Sequence, residues 1–285
     1  MEAGSIVDVI KNLVMAALQG VSEIFPVSSS GHLVIYGSVL GRQLAFENII
    51  FLHLGTLFAI VFHYRQDIAQ IVSGRLGWRL PVRMLVAFIA TAAVGFIVEI
   101  SLAEPLVAKP GVVALLWIAN GVLIGLAGKY SPQGERKISD LHWQQFLLLG
   151  LIQGVSPLPG ISRLGVTLVT GLLFSLTWFE ALKLSFLLSI PVIFFANLYK
   201  LFQRVWPSLL PLNGFAATPG GLAQSLGIAT LGQALLSVAL VSIAFITGLW
   251  ALRVLARFLS RRLLAYFGIY TAFAGLFFSL YLNLM

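Results

Sequence analysis

QGVSEIFPVSSSGH, residues 19–32, returns in altered form as QGVSPLPGISRLG at residues 153–165. Without gaps, Gln, Gly, Val, Ser, Ser and Gly coincide in the two stretches. Both are polar segments, broken by Gly and Pro, inside a very apolar chain. Irregular backbone at membrane depth survives only where it is buried in protein or lines a wet cavity. Because such segments in corresponding positions of two halves point to a functional site, we expect the site where these two meet.

The composition is that of an integral membrane protein. The 285 residues are 59% hydrophobic and 10% charged, whereas a soluble domain carries about 25% charged residues. The chain has no cysteine, which excludes disulfides and thiolate metal sites. The acidic start, residues 1–8, does not predict a cleavable signal peptide. The net charge of +8 does not indicate a nucleic-acid partner, because membrane proteins hold Lys and Arg in cytoplasmic loops.

Six apolar runs are close to the ~20 residues that a spanning helix needs. They lie at residues 45–64, 82–103, 111–129, 185–199, 225–250 and 262–283. The segments 5–40 and 142–182, which contain the two related stretches, are apolar but interrupted, and each predicts a pair of short helices around a re-entrant turn. Residues 207–224, rich in Pro and Gly, predict an external loop. The expected fold class is an all-α polytopic membrane protein with six spanning helices and two re-entrant helix pairs.

Lys and Arg are unevenly distributed between the two sides. Eleven of the eighteen fall in the loops 65–83, 129–140 and 251–262, and five fall in loops predicted for the opposite side. This bias places the first set in the cytoplasm and both termini outside. Three spans separate the re-entrant segments, so the second segment enters from the opposite face and the halves form inverted repeats. We expect one membrane domain over 1–285, with repeats at about 5–129 and 142–283.

Three ionisable residues, Glu23, His32 and Arg163, fall within the broken segments. An ionisable group at membrane depth costs about 2.5–3.5 kcal/mol on insertion scales, so we expect these groups to cluster around a wet pocket. The run of hydroxyls in residues 28–31, with a helix beginning near Gly31, makes an anion site suited to phosphate.

This set of groups is suited to phosphoryl transfer. A serine of the run attacks phosphorus, and His32 takes its proton or protonates the leaving oxygen. Arg163 binds the equatorial oxygens, and Glu23, on one helix face with Gln19, holds Mg²⁺ or Ca²⁺. Two structural alternatives remain open: the serine run as a helix cap, and Glu23 with Arg163 as a buried ion pair that locks the repeats together.

Other polar and aromatic residues receive structural interpretations. His53 is expected to be hydrogen-bonded within the bundle, with a place beside Glu23 or His32 as the alternative. Glu180 and Lys183, spaced i, i+3, predict an ion pair. The six tryptophans mostly lie near predicted span ends, as in an interfacial belt.

The chain resembles the undecaprenyl-diphosphate phosphatase family, integral membrane enzymes linked to bacitracin resistance. Residues 19–32 look like that family's E/Q-x-x-x-E motif with its following P-x-S-S-x-G-H stretch, and residues 159–165 look like its P-G-x-S-R-x-G motif. The stretches 52–57 and 184–191 add to the resemblance, which covers nearly the whole chain. It implies removal of the terminal phosphate from a C55 polyprenyl diphosphate, which gives the monophosphate carrier of cell-wall (peptidoglycan) lipid cycling.

The resemblance also implies the roles of individual residues. Ser29 maps onto the nucleophile, His32 onto the catalytic histidine and Arg163 onto the phosphate-binding arginine, while Glu23 is catalytic and shares a divalent-cation site with Gln19. The remaining head-group contacts are expected from Gln19, Ser28, Ser30, Gly31, Gly160 and Ser162. Gln19 stands where many members have Glu, so metal binding is expected to be weaker. Leu164 stands where a serine is common, which removes one possible phosphate contact.

The expected partner is a polyprenyl diphosphate lipid, in the bilayer of the cytoplasmic (inner) membrane, with the active site open toward the outer face. No nucleic-acid partner is expected, and a homodimer is left open. The alternative function is a polyprenyl-phosphate flippase or transporter that uses the same pocket without hydrolysis, and a homologue that has lost its activity is a further alternative. A hydroxyl run next to a histidine is more than binding alone requires, and it favours the enzyme.

Overall fold

The computed structural model describes residues 6–39, 46–75, 77–107, 109–131, 134–209, 230–260 and 263–284. Within these ranges the chain is helical, and its β structure is limited to one isolated bridge between Arg136 and Leu176. The expected all-α class is therefore confirmed for the described part of the chain. Most of the loop expected at residues 207–224 lies outside the described residues.

Seven helices are described in the first half of the chain. They are α1 (Ile6–Ile24), α2 (Ser29–Val39), α3 (Phe46–His63), α4 (Arg65–Val72), α5 (Arg79–Val98), α6 (Glu104–Val107) and α7 (Pro110–Tyr130). A π-helical turn, Glu99–Ala103, continues α5. Pro26 follows the end of α1, and a proline disfavours helical backbone in the residue before it.

The described part of the second half begins with a 3₁₀ turn at Ile138–Asp140 and then forms five helices. They are α8 (Trp143–Gln153), α9 (Arg163–Leu173), α10 (Trp178–Leu209), α11 (Leu231–Ser260) and α12 (Leu264–Leu284). Pro157 and Pro159 occupy the break between α8 and α9, where a further helical turn would lose its hydrogen bonds.

Five of the described helices are long and apolar enough to cross a membrane. They are α5, α7, α10, α11 and α12. A sixth is obtained if the bent pair of α3 and α4, which meet at 74°, is taken as one span. Large apolar side chains remain exposed on these helices, for example Phe58, Ile89 and Phe277, as expected of surfaces that face lipid. The chain is thus a multi-pass membrane protein.

Two sequence-based boundaries were wrong. The run 185–199 belongs to a helix of 32 residues, α10, because Trp178 and the polar residues after it continue the same helix. The second interrupted segment was extended too far, since α9 ends at Leu173 and Trp178 already starts α10. The helix expected near Gly31 is present and begins at Ser29.

The short helices α1 and α8 pack in the same manner against two different long helices. At Gly20 of α1, an added Cβ would lie 2.8 Å from the Ala244 carbonyl oxygen of α11. At Gly154, which coincides with Gly20 in the two related stretches, it would lie 2.5 Å from Cβ of Val94 in α5. These close approaches fix the positions at which the chain leaves α1 and α8, and the two loops that follow carry the predicted site.

Candidate active site

The two loops end in equivalent helix caps. The Ser28 hydroxyl accepts a hydrogen bond from the Gly31 backbone N–H at 3.2 Å, at the start of α2. The Ser162 hydroxyl accepts one from the Gly165 backbone N–H at 3.1 Å, at the start of α9. The alternative reading of the serine run as a cap is therefore confirmed for Ser28. Because a helix N-terminus carries partial positive charge, two such ends make this region attractive to an anion.

The carboxylate of Glu23 receives groups from both half-sites. The Ser29 hydroxyl, at the start of α2, donates to Glu23 Oε2 at 2.7 Å. Arg163, at the start of α9, donates from Nη2 to Glu23 Oε1 and forms an ion pair with it. Gln19 completes the cluster from one turn earlier on α1, donating from Nε2 to Glu23 Oε2 at 3.0 Å. The predicted convergence of Gln19, Glu23, Ser29 and Arg163 is thus observed, and so is the ion-pair alternative.

His53 of α3 lies at the edge of this cluster. Its Nε2 is 3.8 Å from Glu23 Oε2, and its Nδ1 is 2.8 Å from the Ile49 carbonyl oxygen. The imidazole is therefore hydrogen-bonded within its own helix, as expected, and it also stands beside Glu23, as the alternative had it. Glu23 is 9% exposed, so these few partners supply most of its polar surroundings.

His32 is held by partners outside the Glu23 cluster. Its Nδ1 is 2.8 Å from the Ser28 carbonyl oxygen, and its Nε2 is 2.8 Å from the Tyr270 hydroxyl of α12. The ring stacks on Tyr270 with centroids 5.8 Å apart and meets the edge of Trp117 at 4.8 Å. His32 lies three residues after Ser29 and so on the same side of α2, but the hydroxyl that it reaches is that of Tyr270.

The remaining predicted contacts have structural partners. Ser30 lies with its hydroxyl 3.2 Å from that of Ser28. Gly31 packs against Trp117, since a Cβ there would lie 3.1 Å from the indole. Gly160 has a φ of +95°, and a Cβ there would lie 2.7 Å from the Val113 carbonyl oxygen. Head-group binding by Ser28, Ser30, Gly31, Gly160 and Ser162 stays a prediction.

Helix α7 supports both loops with residues that the sequence analysis did not assign to the site. Trp117 donates from Nε1 to the Val27 carbonyl oxygen at 2.8 Å, and the Asn120 side-chain oxygen accepts from the Ser162 backbone N–H at 3.2 Å. Trp117 is 1% exposed, so the interfacial belt was the wrong interpretation for it. Asn120 is the only amide side chain in the apolar run 111–129, a signal that could have revealed it. Tyr270 was also missed.

A narrow crevice lies beside the Glu23–Arg163 pair. It is lined by these two residues together with Leu164, Ser185, Phe186 and Ser189. The two serines lie one turn apart on α10 and are 3% and 4% exposed. Their hydroxyl protons go to carbonyl oxygens of their own helix, which leaves oxygen lone pairs toward the crevice.

The protein ligands available to a metal ion are few. Among the described residues, no group of three or more His, Cys, Asp or Glu side chains is placed to hold a metal ion. Glu23 is the one carboxylate of the cluster, and Gln19 Oε1, which is buried, has no hydrogen-bond partner among those residues. These two oxygens suit only a cation that takes most of its ligands from substrate and water.

The arrangement as a whole is suited to an anion, and it places a hydroxyl group beside that position. An arginine fork, a hydroxyl and two helix N-termini surround one buried carboxylate, and each of these groups also suits a phosphate group. A phosphate that entered would compete with Glu23 for Arg163 and Ser29. The carboxylate so released is then free to take the proton of Ser29.

Comparison with known proteins identifies relatives of this chain. The model of a family described as bacitracin resistance protein BacA matches residues 12–277. The undecaprenyl-diphosphatase of Teredinibacter turnerae is 35% identical over 239 residues, which is 78% of this chain and 84% of the relative. The undecaprenyl-diphosphatase of Pelobacter propionicus is 29% identical over 277 residues, 92% of this chain and 93% of the relative. Undecaprenyl-diphosphatase 2 of Stutzerimonas stutzeri is 35% identical over 210 residues, 67% of this chain and 75% of the relative.

Proposed function

This chain belongs to the bacitracin resistance protein BacA family, and from that membership we propose that it is a membrane phosphatase. It hydrolyses undecaprenyl diphosphate to the monophosphate and inorganic phosphate. The observation that carries this function is the meeting of Ser29 and Arg163, from two separate loops, on the carboxylate of Glu23. The substrate is the one that its relatives' names state.

The terminal phosphate displaces Glu23 from Arg163. Arginine binds phosphate oxygens bidentately and more tightly than a single carboxylate contact allows. Ser185 and Ser189 line the crevice beside Arg163. The isoprenoid tail reaches the bilayer between the helices.

Ser29 is the nucleophile, and Glu23 is its base. The Oγ of Ser29 attacks the terminal phosphorus, and the hydroxyl proton passes to Glu23 Oε2. This is the atom to which the Ser29 hydroxyl already donates a hydrogen bond. The bond from phosphorus to the bridging oxygen breaks, and undecaprenyl monophosphate leaves. Arg163 and the helix N-termini stabilise the charge on the phosphoryl oxygens throughout.

Water completes the reaction. It attacks the phosphoserine, His32 takes one of its protons, and the bond between phosphorus and Ser29 Oγ breaks to release phosphate. Glu23 returns its proton to Ser29, and His32 gives its proton to solvent. Of the three serines in the run, Ser29 is the one in contact with Glu23, whereas Ser28 caps α2 and Ser30 contacts Ser28.

A divalent cation is part of the proposal, and Mg²⁺ fits better than Ca²⁺. Glu23 and Gln19 would hold it, since a carboxylate oxygen and an unpartnered amide oxygen are available there. Ca²⁺ takes six to eight oxygens, whereas Mg²⁺ commonly uses one or two carboxylates, several waters and substrate phosphates. When bound, the cation neutralises charge on the diphosphate. Phosphate release should fall with a chelator and return with added Mg²⁺.

The two halves are inverted repeats, and α1–α2 and α8–α9 are re-entrant helix pairs that accompany six spanning helices. Support comes from equivalent packing: α1 approaches α11 at Gly20 as α8 approaches α5 at Gly150 and Gly154. Equivalent residues of the two loops, Ser28 and Ser162, cap α2 and α9. Loop tips that enter from opposite faces of the membrane meet at one depth. At that depth Glu23 contacts Ser29 after the first loop and Arg163 after the second.

The protein resides in the cytoplasmic membrane with this site open toward the outer face. The bias of Lys and Arg toward the loops 65–83, 129–140 and 251–262 supports this orientation. A homodimer is compatible with the many apolar side chains left exposed on the spanning helices.

Phosphate release tests the function against its alternative. Purified protein in detergent should release inorganic phosphate from C55 or C15 diphosphate at saturating substrate. A flippase would give no phosphate while labelled lipid still crossed a vesicle bilayer. That pair of results, with correctly folded protein, would overturn the phosphatase.

A further inference from the structure

Among the described residues, Tyr270 is the one residue of α12 that forms a hydrogen bond with His32, the predicted catalytic histidine. Its hydroxyl lies 2.8 Å from His32 Nε2, and its ring stacks on the imidazole at an angle of 12°. Neither the motifs nor the proposed reaction accounts for this contact. It joins the first loop to the last helix of the chain, 238 residues later.

The partner on the other side of the ring determines which nitrogen carries the proton. His32 Nδ1 is 2.8 Å from the Ser28 carbonyl oxygen, and a carbonyl oxygen can only accept a hydrogen bond. The proton of the neutral imidazole therefore resides on Nδ1. Nε2 then has a lone pair, and the Tyr270 hydroxyl donates to it.

We propose that Tyr270 is a positioning residue for the phosphatase reaction, one that keeps Nε2 of His32 unprotonated and aimed as the proton acceptor. The inference rests on the proposed function, because it assigns to Tyr270 an effect exerted only through His32. The Trp117 ring contacts the imidazole at 77°, with centroids 4.8 Å apart. The imidazole is thus held at both nitrogens and also contacts Trp117.

The same hydroxyl serves both protonation states of the histidine. While His32 is neutral, the Tyr270 hydroxyl donates to Nε2. Because Nε2 has one lone pair, the attacking water takes the place of the hydroxyl there while it gives up its proton. The hydroxyl then turns about its C–O bond and accepts from Nε2–H, since a phenol both donates and accepts. The ring does not need to move between the two states, which keeps it ready for the next turnover.

Tyr270→Phe removes the hydroxyl and keeps the stacked ring. Losing one hydrogen bond of this kind should lower kcat by about tenfold, with KM changed less than about twofold because substrate binding is not altered. Tyr266→Phe is the matched control, one turn earlier on α12 and similarly exposed, and it should retain the wild-type kcat.

A double-mutant cycle distinguishes action through His32 from a general structural role. In the His32→Ala background, Tyr270→Phe should cause no further loss of rate, because the residue through which it acts is gone. Equal fold-losses in the two backgrounds would overturn the proposal. So would a Tyr270→Phe protein with the wild-type kcat, and in that case phosphate release by the wild type would leave the proposed function standing.

The tautomer gives a second test that needs neither activity nor a variant of Tyr270. ¹⁵N spectra of histidine-labelled wild-type protein at alkaline pH, with His32→Ala to assign the signal, should show a protonated Nδ1 and an unprotonated Nε2 for His32. A protonated Nε2 would contradict the inference, whether or not the protein releases phosphate.

Discussion

Two residues of this site, Arg163 and Ser29, are each given two partners by the proposed reaction. One is Glu23 in the resting protein, and the other is the phosphate group of the substrate. Arg163 and Ser29 both contact Glu23 in the resting arrangement, and both are suited to a phosphoryl group. In the proposed reaction, the buried carboxylate occupies the anion site until substrate arrives. Because Arg163 and Glu23 are paired with each other, both charges can lie at membrane depth, where an unpaired charge would be costly.

The contribution of Arg163 to kcat/KM should depend on the shape of its side chain as well as on its charge. Arg163→Ala should lower kcat/KM by about 10²–10³, the usual cost of removing a group that stabilises a developing oxyanion. Arg163→Lys retains the charge without the planar fork, so its loss should be smaller but still at least about tenfold. Phosphate release from C55 diphosphate measures both, with Lys129→Ala as a surface control.

A lysine variant as active as the wild type would contradict bidentate phosphate binding by Arg163. An alanine variant with full activity would remove Arg163 from the site altogether.

The elements that present these residues are the two short helices that begin at the broken loops. Their caps, Ser28 and Ser162, come from equivalent positions of the related stretches. Helix α7 stabilises both loops through hydrogen bonds made by Trp117 and Asn120. A change in the backbone of either loop should therefore displace the catalytic side chain that follows it.

Gly160→Ala should test this support. Its φ of +95° is rarely adopted by other residues, and a Cβ there would lie 2.7 Å from the Val113 carbonyl oxygen. We expect a loss of stability of about 1–3 kcal/mol and lower phosphate release, because Arg163 follows in the chain. Thermal unfolding in detergent measures the first effect.

Gly111→Ala provides the control, because nothing lies within 4 Å of a Cβ added at that glycine of α7. If Gly160→Ala unfolded at the same temperature as Gly111→Ala and the wild type, the tight contact with α7 would be refuted.

Much of this was predictable at the level of elements. Long apolar runs predicted the spanning helices, and Gly and Pro predicted the breaks after α1 and α8. The length of α10 was not predictable by hydropathy, because the polar residues near Trp178 interrupt the apolar run without interrupting the helix. Nor were Trp117 and Tyr270, whose contacts join residues 90 and 238 positions apart in the chain, since no local pattern specifies such pairs.

At the scale of the whole molecule, the site lies at the meeting point of two halves. Glu23 of α1 in one half contacts Arg163, at the start of α9 in the other half. The predicted inverted topology accounts for this, because two loops that enter from opposite faces can meet within the membrane.

The topology can be tested by labelling, since the chain has no cysteine of its own. Single cysteines at Ser73 and Ser139 should react with an impermeant thiol reagent only from the cytoplasmic side. A cysteine at Lys109 should react only from the outside. All three residues are exposed. Labelling of Ser73 and Lys109 from the same side would contradict the proposed orientation.

The central claim is that the two half-sites act on one phosphate group. Its most direct test is the rate of phosphate release from C55 diphosphate by the wild type, Ser29→Ala, Arg163→Ala and the double variant. Each single change should lower the rate by a factor of at least about 10², and the double variant should be no slower than the slower single one, because residues that act as a unit are not additive. Losses that multiply, or a Ser29→Ala protein that retains most of its rate, would contradict the account.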